Sequence, residues 1–258
     1  MNVYGLTDRG LLREANEDSI GITSLKNGIN IAVVCDGMGG AAGGQIASSV
    51  AEETFIESMT ALCDTPDGNI PDGKKIKNAL KASIQKANAA VLARAKDDLS
   101  LFGMGCTLVA AVLCKSKSRL YFANVGDSRI YMITKKSIKQ LSKDHSYVQM
   151  LVDNKEITPE EAECHPKKNL ITKALGIKDE IEPDISDLRV SKRGDNYFLL
   201  CSDGLHGLVD KDTLSDVALS NAPIEEKVFA YIKLANEAGG HDNISAILIS
   251  ANETEVAK

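Results

Sequence analysis

Residues 31–40 read IAVVCDGMGG and residues 197–205 read YFLLCSDGL, so an apolar run of strand character twice ends in an aspartate followed by glycine. A glycine at such a strand end lets the backbone turn tightly and approach a ligand closely. A third stretch, GGHDNISAILI at residues 239–249, places Asp242 just before another strand-like run. The sequence therefore predicts three acidic side chains at the ends of buried strands.

These three carboxylates, Asp36, Asp203 and Asp242, would repel one another if the fold brought them together. Divalent cations between them would make the arrangement favourable, because hard ions such as Mg²⁺ and Mn²⁺ prefer oxygen ligands. The pattern is typical of a metal-dependent hydrolase or phosphotransferase.

The composition narrows the class of protein further. The chain has 258 residues, is 43% hydrophobic and carries a formal charge of −6. This size and apolar content predict one domain over residues 1–258, since no convincing linker interrupts the pattern. The acidic balance and the lack of a Lys/Arg-rich run argue against nucleic acid as a partner.

Targeting signals and cysteine usage predict a cytoplasmic protein. The N-terminus, MNVYGLTDRG, lacks a basic leader followed by an apolar stretch, and no run approaches the length of a membrane helix. The six cysteines show no C-x-x-C pair, so we expect buried, reduced thiols and no zinc site. We also expect a monomer that works away from membranes.

The first half of the chain predicts strands followed by two helices. Three short strands occupy the first 35 residues, the last two joined by a hairpin turn at Lys26-Asn27-Gly28. Apolar residues then recur at three- and four-residue steps, which predicts helices over residues 45–62 and 74–95.

The second half returns to strands, over 105–114, 118–126, 128–134, 137–141, 184–190, 197–202 and 244–250. A helix is predicted from about Pro223 to Ala238, stopped by two glycines. Residues 143–180 are polar, contain two prolines and show only short helical patterns, which predicts a flap outside the main fold. Runs of strands with segregated helices indicate an α+β layered sandwich of antiparallel sheets.

With these segments placed, the chain closely resembles the bacterial metal-dependent protein serine/threonine phosphatases of the 2C type. The resemblance runs from Thr7 to about Ile249 and rests on motifs in a fixed order. These motifs are Arg13-Glu14-Ala15-Asn16-Glu17-Asp18, Asp36-Gly37-Met38-Gly39-Gly40, Gly105-Cys106-Thr107, Asn124-Val125-Gly126-Asp127-Ser128-Arg129, Asp144-His145-Ser146, Ala174-Leu175-Gly176, Ser202-Asp203-Gly204 and Asp242-Asn243-Ile244.

The resemblance implies a four-layer sandwich of two antiparallel β-sheets flanked by helix pairs, with a flap over about residues 143–180. It also implies a site for two Mn²⁺ or Mg²⁺ ions at one end of the sheets. Asp36 would bridge both ions and the Gly37 carbonyl would ligate one, whereas Asp203 and Asp242 would hold the other.

Four further residues gain implied roles from the same resemblance. Glu17 and Asp18 match positions that act on the metals through bound waters, and Asp127 with Asp203 matches a third, weaker ion site. Arg13 matches the residue that receives the substrate phosphate, for which its forked guanidinium is suited. Taken singly, the acidic residues could instead form turns, a hairpin at Asp127 or the start of a strand, and Arg13 could be a solvated surface charge.

The implied reaction is hydrolysis of phosphoserine or phosphothreonine in proteins by a metal-activated water, reversing the action of a cognate serine/threonine kinase in signalling. The general acid is open. Eukaryotic relatives have a histidine where this chain has Met38, so either a metal-bound water or His165 of the flap could donate the proton. His165 could equally be an exposed flap residue, and His145 reads as structural. Cys106 stands where relatives usually carry threonine or serine, and we expect a packing change only.

Two rival functions differ in class from this one. Residues 37–42 formally match the dinucleotide-binding pattern G-x-G-x-x-A between a strand and a helix, although Asp36 would then face a pyrophosphate and no βαβ unit follows. The second rival is a catalytically silent phosphoprotein-binding module on the same scaffold. Such a module would lack some of the acidic metal ligands, whereas this chain has an acidic residue at every position where one is expected.

Overall fold

The computed structural model describes residues 2–39, 43–65, 67–191 and 195–252, and all of its strand pairs are antiparallel. The strands are β1 Val3–Asp8, β2 Asp18–Ser24, β3 Ile29–Met38, β4 Gly105–Cys106, β5 Leu108–Cys114, β6 Arg119–Val125, β7 Arg129–Thr134, β8 Ser137–Gln140, β9 Asp184–Arg189, β10 Asn196–Cys201 and β11 Ile244–Ser250. The helices are α1 Gly43–Cys63, α2 Gly73–Asp97, α3 Tyr147–Asp153, α4 Pro159–Glu163, α5 Asp203–His206, α6 Lys211–Leu219 and α7 Ile224–Glu237.

The strands form two sheets. Sheet I has the order β1-β11-β10-β7-β8, and sheet II has the order β2-β3-β5-β6-β9 with β4 paired to β3. The predicted turn at residues 26–28 does join β2 to β3, with Asp18 opposite Asp36 in the register. No described strand pair is parallel, so the βαβ unit that dinucleotide binding requires is absent from these residues. Residues 40–42 of that rival motif lie outside the described residues.

Side-chain alternation along the central strands builds the layers. In β3, Ile31 and Val33 pack into the core beneath α1 and α2, whereas Ala32 and Val34 pack into the core between the sheets. This is the alternation expected of a strand that is buried on both faces. On the far side, sheet I packs against α5, α6 and α7. The result confirms the predicted four-layer sandwich.

Local sequence explains where the helices begin and end. Asp72 caps α2 by accepting a hydrogen bond from the Lys75 amide. At the other end of the fold α7 stops before Gly239 and Gly240, both of which have positive φ. Pro223 precedes α7 as its N-cap residue rather than lying in its first turn. None of the helices in the described ranges is long and apolar enough to cross a membrane.

The alternative interpretation of Asp127 as part of a hairpin turn is wrong, because β6 belongs to sheet II and β7 to sheet I. The chain crosses between the sheets at Gly126, which has a φ of +104°. A Cβ at this glycine would lie 2.6 Å from the Thr107 side chain, so both the backbone angle and the space require glycine. The crossover leaves Asp127 between the two sheets.

The predicted strand over 105–114 is divided in two. Thr107 separates β4 from β5, and β4 pairs with the last residues of β3. β3 therefore continues past Asp36 to Met38, so this aspartate lies within a strand and not beyond its end. The segment 143–180 contains α3 and α4. A bridge between Cys106 and Leu175 joins it to the main fold, and a bridge between Ser146 and Ile171 lies within it.

Candidate active site

One cavity of about 400 Å³ lies at the end where both sheets carry acidic residues. Sheet II contributes Asp36, the crossover contributes Asp127, and the segments flanking β10 and β11 contribute Asp203 and Asp242. Its full lining is Arg13, Glu17, Asp36, Gly37, Met38, Gly39, Thr107, Asp127, Asn169, Ile171, Asp203, Asp242 and Asn243. The fold thus gathers side chains that are as many as 229 positions apart.

Thr107 fixes the backbone on both sides of the Asp36 side chain. Its amide donates to the Asp36 carbonyl at 2.8 Å, and its hydroxyl accepts from the Asp36 amide at 3.0 Å. The same hydroxyl is 2.7 Å from that of Ser128, beside the crossover. The break between β4 and β5 therefore positions the central carboxylate and ties it to the Asp127 segment.

Asp18 lies behind this carboxylate and is buried. Its Oδ2 accepts hydrogen bonds from the hydroxyls of Ser202 and Ser245, each at 2.7 Å, while its Oδ1 has no hydrogen-bond partner. Burial raises the pKa of Asp18 to about 7, against the opposing effect of the two serine hydrogen bonds. A buried oxygen of this kind is a suitable acceptor for an ion-bound water.

The other carboxylates show the cost of gathering negative charge. Burial raises the pKa of Asp36 well above its usual range, and the charges of Asp18 and Asp203 add to this. Burial and the charge of Asp203 raise the pKa of Asp127 to about 7. Burial and the charge of Asp242 raise the pKa of Asp203 to about 6, although Arg13 opposes the shift. The cavity therefore favours a bound cation.

Arg13 contacts Asp242, with its Nη2 2.7 Å from Oδ2. Half of the Arg13 side chain is exposed at the cavity, so its guanidinium can reach a ligand there. Glu17 also lines the cavity, and its backbone oxygen accepts from the Gly37 amide at 3.1 Å. A Cβ at Gly37 would meet the backbone oxygens of Glu17 and Gly44, so only glycine fits between these segments.

A buried ion pair supports the crossover from below. The Arg129 guanidinium donates to both carboxylate oxygens of Asp144, at 2.7 to 3.1 Å, and also to the Tyr131 hydroxyl at 3.1 Å. Gln140 donates to the same carboxylate at 2.8 Å. Both charged residues belong to motifs noted in the sequence, and the structure gives them a supporting function beneath Asp127.

No histidine is among the described residues that line the cavity, although the His206 Nε2 is 3.1 Å from the backbone oxygen of Asp127. His165 accepts from the Lys167 amide at 3.1 Å and lies 6.0 Å from the Tyr147 ring. Its role as general acid stays a prediction that this position does not favour. The Nδ1 of His145 accepts from the Gly126 amide at 3.1 Å, which fits a structural role, and its pKa is lowered by burial and by Lys173.

The donor set fits hard divalent cations, because every acidic group in the lining offers oxygen. In the described residues, however, no three histidine, cysteine, aspartate or glutamate side chains form a compact group of the kind that holds a metal ion. The carboxylates would have to shift toward a common point, and Asp242 would have to loosen its contact with Arg13. The unpartnered Asp18 oxygen and the raised pKa values both agree with such a site.

Several residues of the site were not assigned a role from the sequence. Thr107 and Asn243 lie inside motifs noted in the sequence, so those motifs could have indicated that both residues belong to the site. Ser202 and Ser245 hold Asp18 only because β10 and β11 pair. Asn169 and Ile171 reach the cavity from the flap segment, where no local pattern indicated it.

The raised pKa values predict an unusual pH dependence for the metal-free protein. Asp127 and Asp203 bind protons more tightly when folded than their usual pKa of 3.8 allows, so the folded state holds more protons than the unfolded state between about pH 4 and pH 7. Their contribution to stability is therefore present below about pH 4 and lost as pH rises to about 7. We expect the chelator-treated protein to lose stability over this window, and Asp127→Asn to reduce the slope. Urea unfolding at several pH values measures this, and an unchanged slope in the variant would contradict it.

Comparison with known proteins gives a consistent set of relatives. The family model described as Protein phosphatase 2C matches residues 13–248. A serine/threonine phosphatase stp of Listeria welshimeri serovar 6b is 37% identical over 249 residues, which cover 95% of this chain and 94% of that protein.

Solved structures agree. The serine/threonine phosphatase Stp1 from Staphylococcus aureus superposes with a TM-score of 0.87 at 33% identity, covering 96% of this chain and 94% of that one. The catalytic domain of the serine/threonine protein phosphatase PstP, solved in complex with two manganese ions, superposes with a TM-score of 0.79 at 33% identity and covers 96% of both chains.

Proposed function

The chain belongs to the protein phosphatase 2C family, and we propose on this basis that it is an enzyme that removes phosphate from phosphoserine and phosphothreonine in proteins. The observation that carries the proposal is the convergence of four aspartates and one arginine on a single cavity. Metal-dependent hydrolysis accounts for this convergence, since buried carboxylates of raised pKa need cations to offset their charge.

Bound ions would supply the nucleophile by lowering the pKa of a water, and they would offset charge on the phosphoryl oxygens. Asp36 would hold two ions and the Gly37 carbonyl would ligate one of them; the charges of the neighbouring aspartates acting on Asp36 support this assignment. Asp203 and Asp242 would hold the second ion, and Asp127 with Asp203 a third. Glu17 and Asp18 would act through ordered waters.

Arg13 would bind the phosphoryl group of the substrate. Its guanidinium lies in the cavity lining and is half exposed, so it can donate two parallel hydrogen bonds to phosphoryl oxygens. The flap, about residues 143–180, would form the wall next to the leaving group, since Asn169 and Ile171 already line the cavity. We propose that the flap belongs to the same single domain, residues 1–258.

Further parts of the proposal concern the cellular setting. The oxygen-only donor set suits both Mn²⁺ and Mg²⁺. Six free cysteines, five of them buried, fit a reducing compartment such as the cytoplasm. We propose a monomer that acts in signalling on phosphoproteins and reverses a cognate serine/threonine kinase, and the charge of −6 argues against a nucleic-acid partner.

The test is turnover of p-nitrophenyl phosphate and of a phosphothreonine peptide, each with and without Mn²⁺. We expect phosphate release that depends on the ion and stops with chelator, and a phosphotyrosine peptide serves as the specificity control. A purified, folded protein that releases no phosphate from either substrate with excess Mn²⁺ would instead support the catalytically silent module.

A further inference from the structure

The loop of residues 9–17 carries both Arg13 and Glu17 and is held against the segment 240–243. The amides of Leu11 and Leu12 donate to the Gly240 carbonyl at 2.8 and 3.2 Å. These two leucine side chains are mostly exposed, so they contribute little packing that would fix the loop. The position of the loop therefore depends on polar contacts with the segment that precedes β11.

Asn243 makes the largest set of those contacts. Its side-chain amide donates to the carbonyls of Arg9 and Ala15, at 2.8 and 2.9 Å, and its oxygen accepts from the Glu17 amide at 2.8 Å. The residue is 5% exposed. One side chain thus bonds the loop at its start, near its end and at its last residue, with Arg13 between these points.

These hydrogen bonds restrict the backbone of the loop that carries the flexible Arg13 side chain. The Arg13 side chain is half exposed and forms an ion pair with Asp242, the residue next to Asn243. The Asp242 carboxylate accepts a hydrogen bond at 2.8 Å from the backbone N–H of Asn243, which a substitution of the Asn243 side chain leaves in place. Residues 242 and 243 therefore set the loop backbone and the guanidinium together.

We propose that Asn243 is a positioning residue for substrate phosphate, acting through Arg13. This inference rests on the proposed function, because it assigns Arg13 to the phosphoryl group. Without the three hydrogen bonds the loop would sample more conformations, and the guanidinium would be aligned with the phosphoryl oxygens for a smaller part of the time. Misplacement of a binding group by about 1 Å can cost on the order of 100-fold in rate.

The chain offers a matched control in Asn88, which is fully buried on α2. Its side-chain amide donates to the carbonyls of Lys178 and Asp179, at 2.8 and 3.1 Å, and its oxygen accepts from the Gly176 amide at 2.8 Å. Asn88→Ala removes the same number and kind of hydrogen bonds as Asn243→Ala. It does so away from the loop of residues 9–17.

The experiment is a double-mutant cycle on the Mn²⁺-loaded protein with a phosphothreonine peptide. We expect Asn243→Ala to raise KM and to weaken inhibition by inorganic phosphate, each about tenfold or more, while the Mn²⁺ affinity measured by calorimetry changes less than about twofold. In an Arg13→Ala background the same substitution should change KM by less than about twofold, because the group it positions is gone. Asn88→Ala loosens residues 176–179 of the flap, so any change in KM that it causes should be the same in both backgrounds.

Each outcome decides the inference. An Asn243→Ala effect of equal size with and without Arg13 would overturn it, as would a loss that appears only in Mn²⁺ affinity. If Asn243→Ala does not fold, Asn243→Ser keeps a hydroxyl that can accept from the Glu17 amide and should give an intermediate, Arg13-dependent loss. A wild-type protein that releases no phosphate would sink the proposed function itself, which is a separate result.

Discussion

Replacing Asp36 with asparagine should abolish phosphate release and, in the same protein, raise the melting temperature measured in chelator. The activity loss follows from the central position of this carboxylate, because a neutral amide cannot offset the charge of two ions. We expect turnover to fall on the order of 10³-fold or more.

The gain in stability follows from the raised pKa of the same group, which burial and the charges of Asp18 and Asp203 produce. At pH 8 without metal, the folded state must either ionise this buried carboxyl group or keep it protonated, and both lower the stability relative to the unfolded chain. Asparagine is neutral and avoids this loss, so we expect a higher Tm in chelator.

The matched control is Asp216→Asn, at an exposed position on α6, which should change neither quantity. Thermal unfolding in EDTA and Mn²⁺-dependent turnover are measured on the same preparations. Wild-type turnover in the Asp36→Asn protein would remove this residue from the site, and a lower melting temperature in EDTA would refute the charge argument.

Asp144→Asn should be the most destabilising single exchange of an acid for its amide. It leaves the Arg129 guanidinium in a largely buried position without its carboxylate, and breaking such a pair costs about 3 kcal/mol. The expected fall in Tm is roughly 6–12 °C. Turnover should fall as well, because the pair supports the crossover that carries Asp127.

Asp187→Asn provides the comparison, because Asp187 pairs with both Arg119 and Lys77 at a more exposed place on β9. Pairs of this kind contribute at most about 1 kcal/mol, so its Tm should fall by only a few degrees. Differential scanning calorimetry of both variants distinguishes the two cases. An equal fall in Tm in the two proteins would mean that burial does not make the Arg129–Asp144 pair contribute more to stability.

Apolar runs predicted most of the strands, because a strand buried on both faces, such as β3, leaves a long apolar run in the sequence. The hairpin between β2 and β3 was likewise predictable, since its turn is local. The passage of the chain from sheet II to sheet I at Gly126 was not, because a glycine-aspartate pair fits a hairpin and a crossover equally well. Only the pairing of distant strands distinguishes them.

In the candidate site too, the residues with a local sequence pattern were predictable and the residues placed by tertiary contacts were not. Asp36, Asp203 and Asp242 were identified because each adjoins a strand-like apolar run in the sequence and has a distinctive neighbour, glycine or asparagine. The hydrogen bonds of Asn243 to a loop more than 200 positions away, and those of Ser202 and Ser245 to Asp18, depend on tertiary packing. The flap residues Asn169 and Ile171 were missed for the same reason, since their approach to the cavity depends on where α3 and α4 dock.

The first strand of the chain has the last one, β11, as its partner in sheet I, and β11 in turn lies against β10. During synthesis on the ribosome, β1 must therefore wait until residues 244–250 have emerged before it can pair with β11. Asp242 emerges only just before β11. A nascent chain would thus lack both the β1–β11 pairing and Asp242 until this segment has emerged.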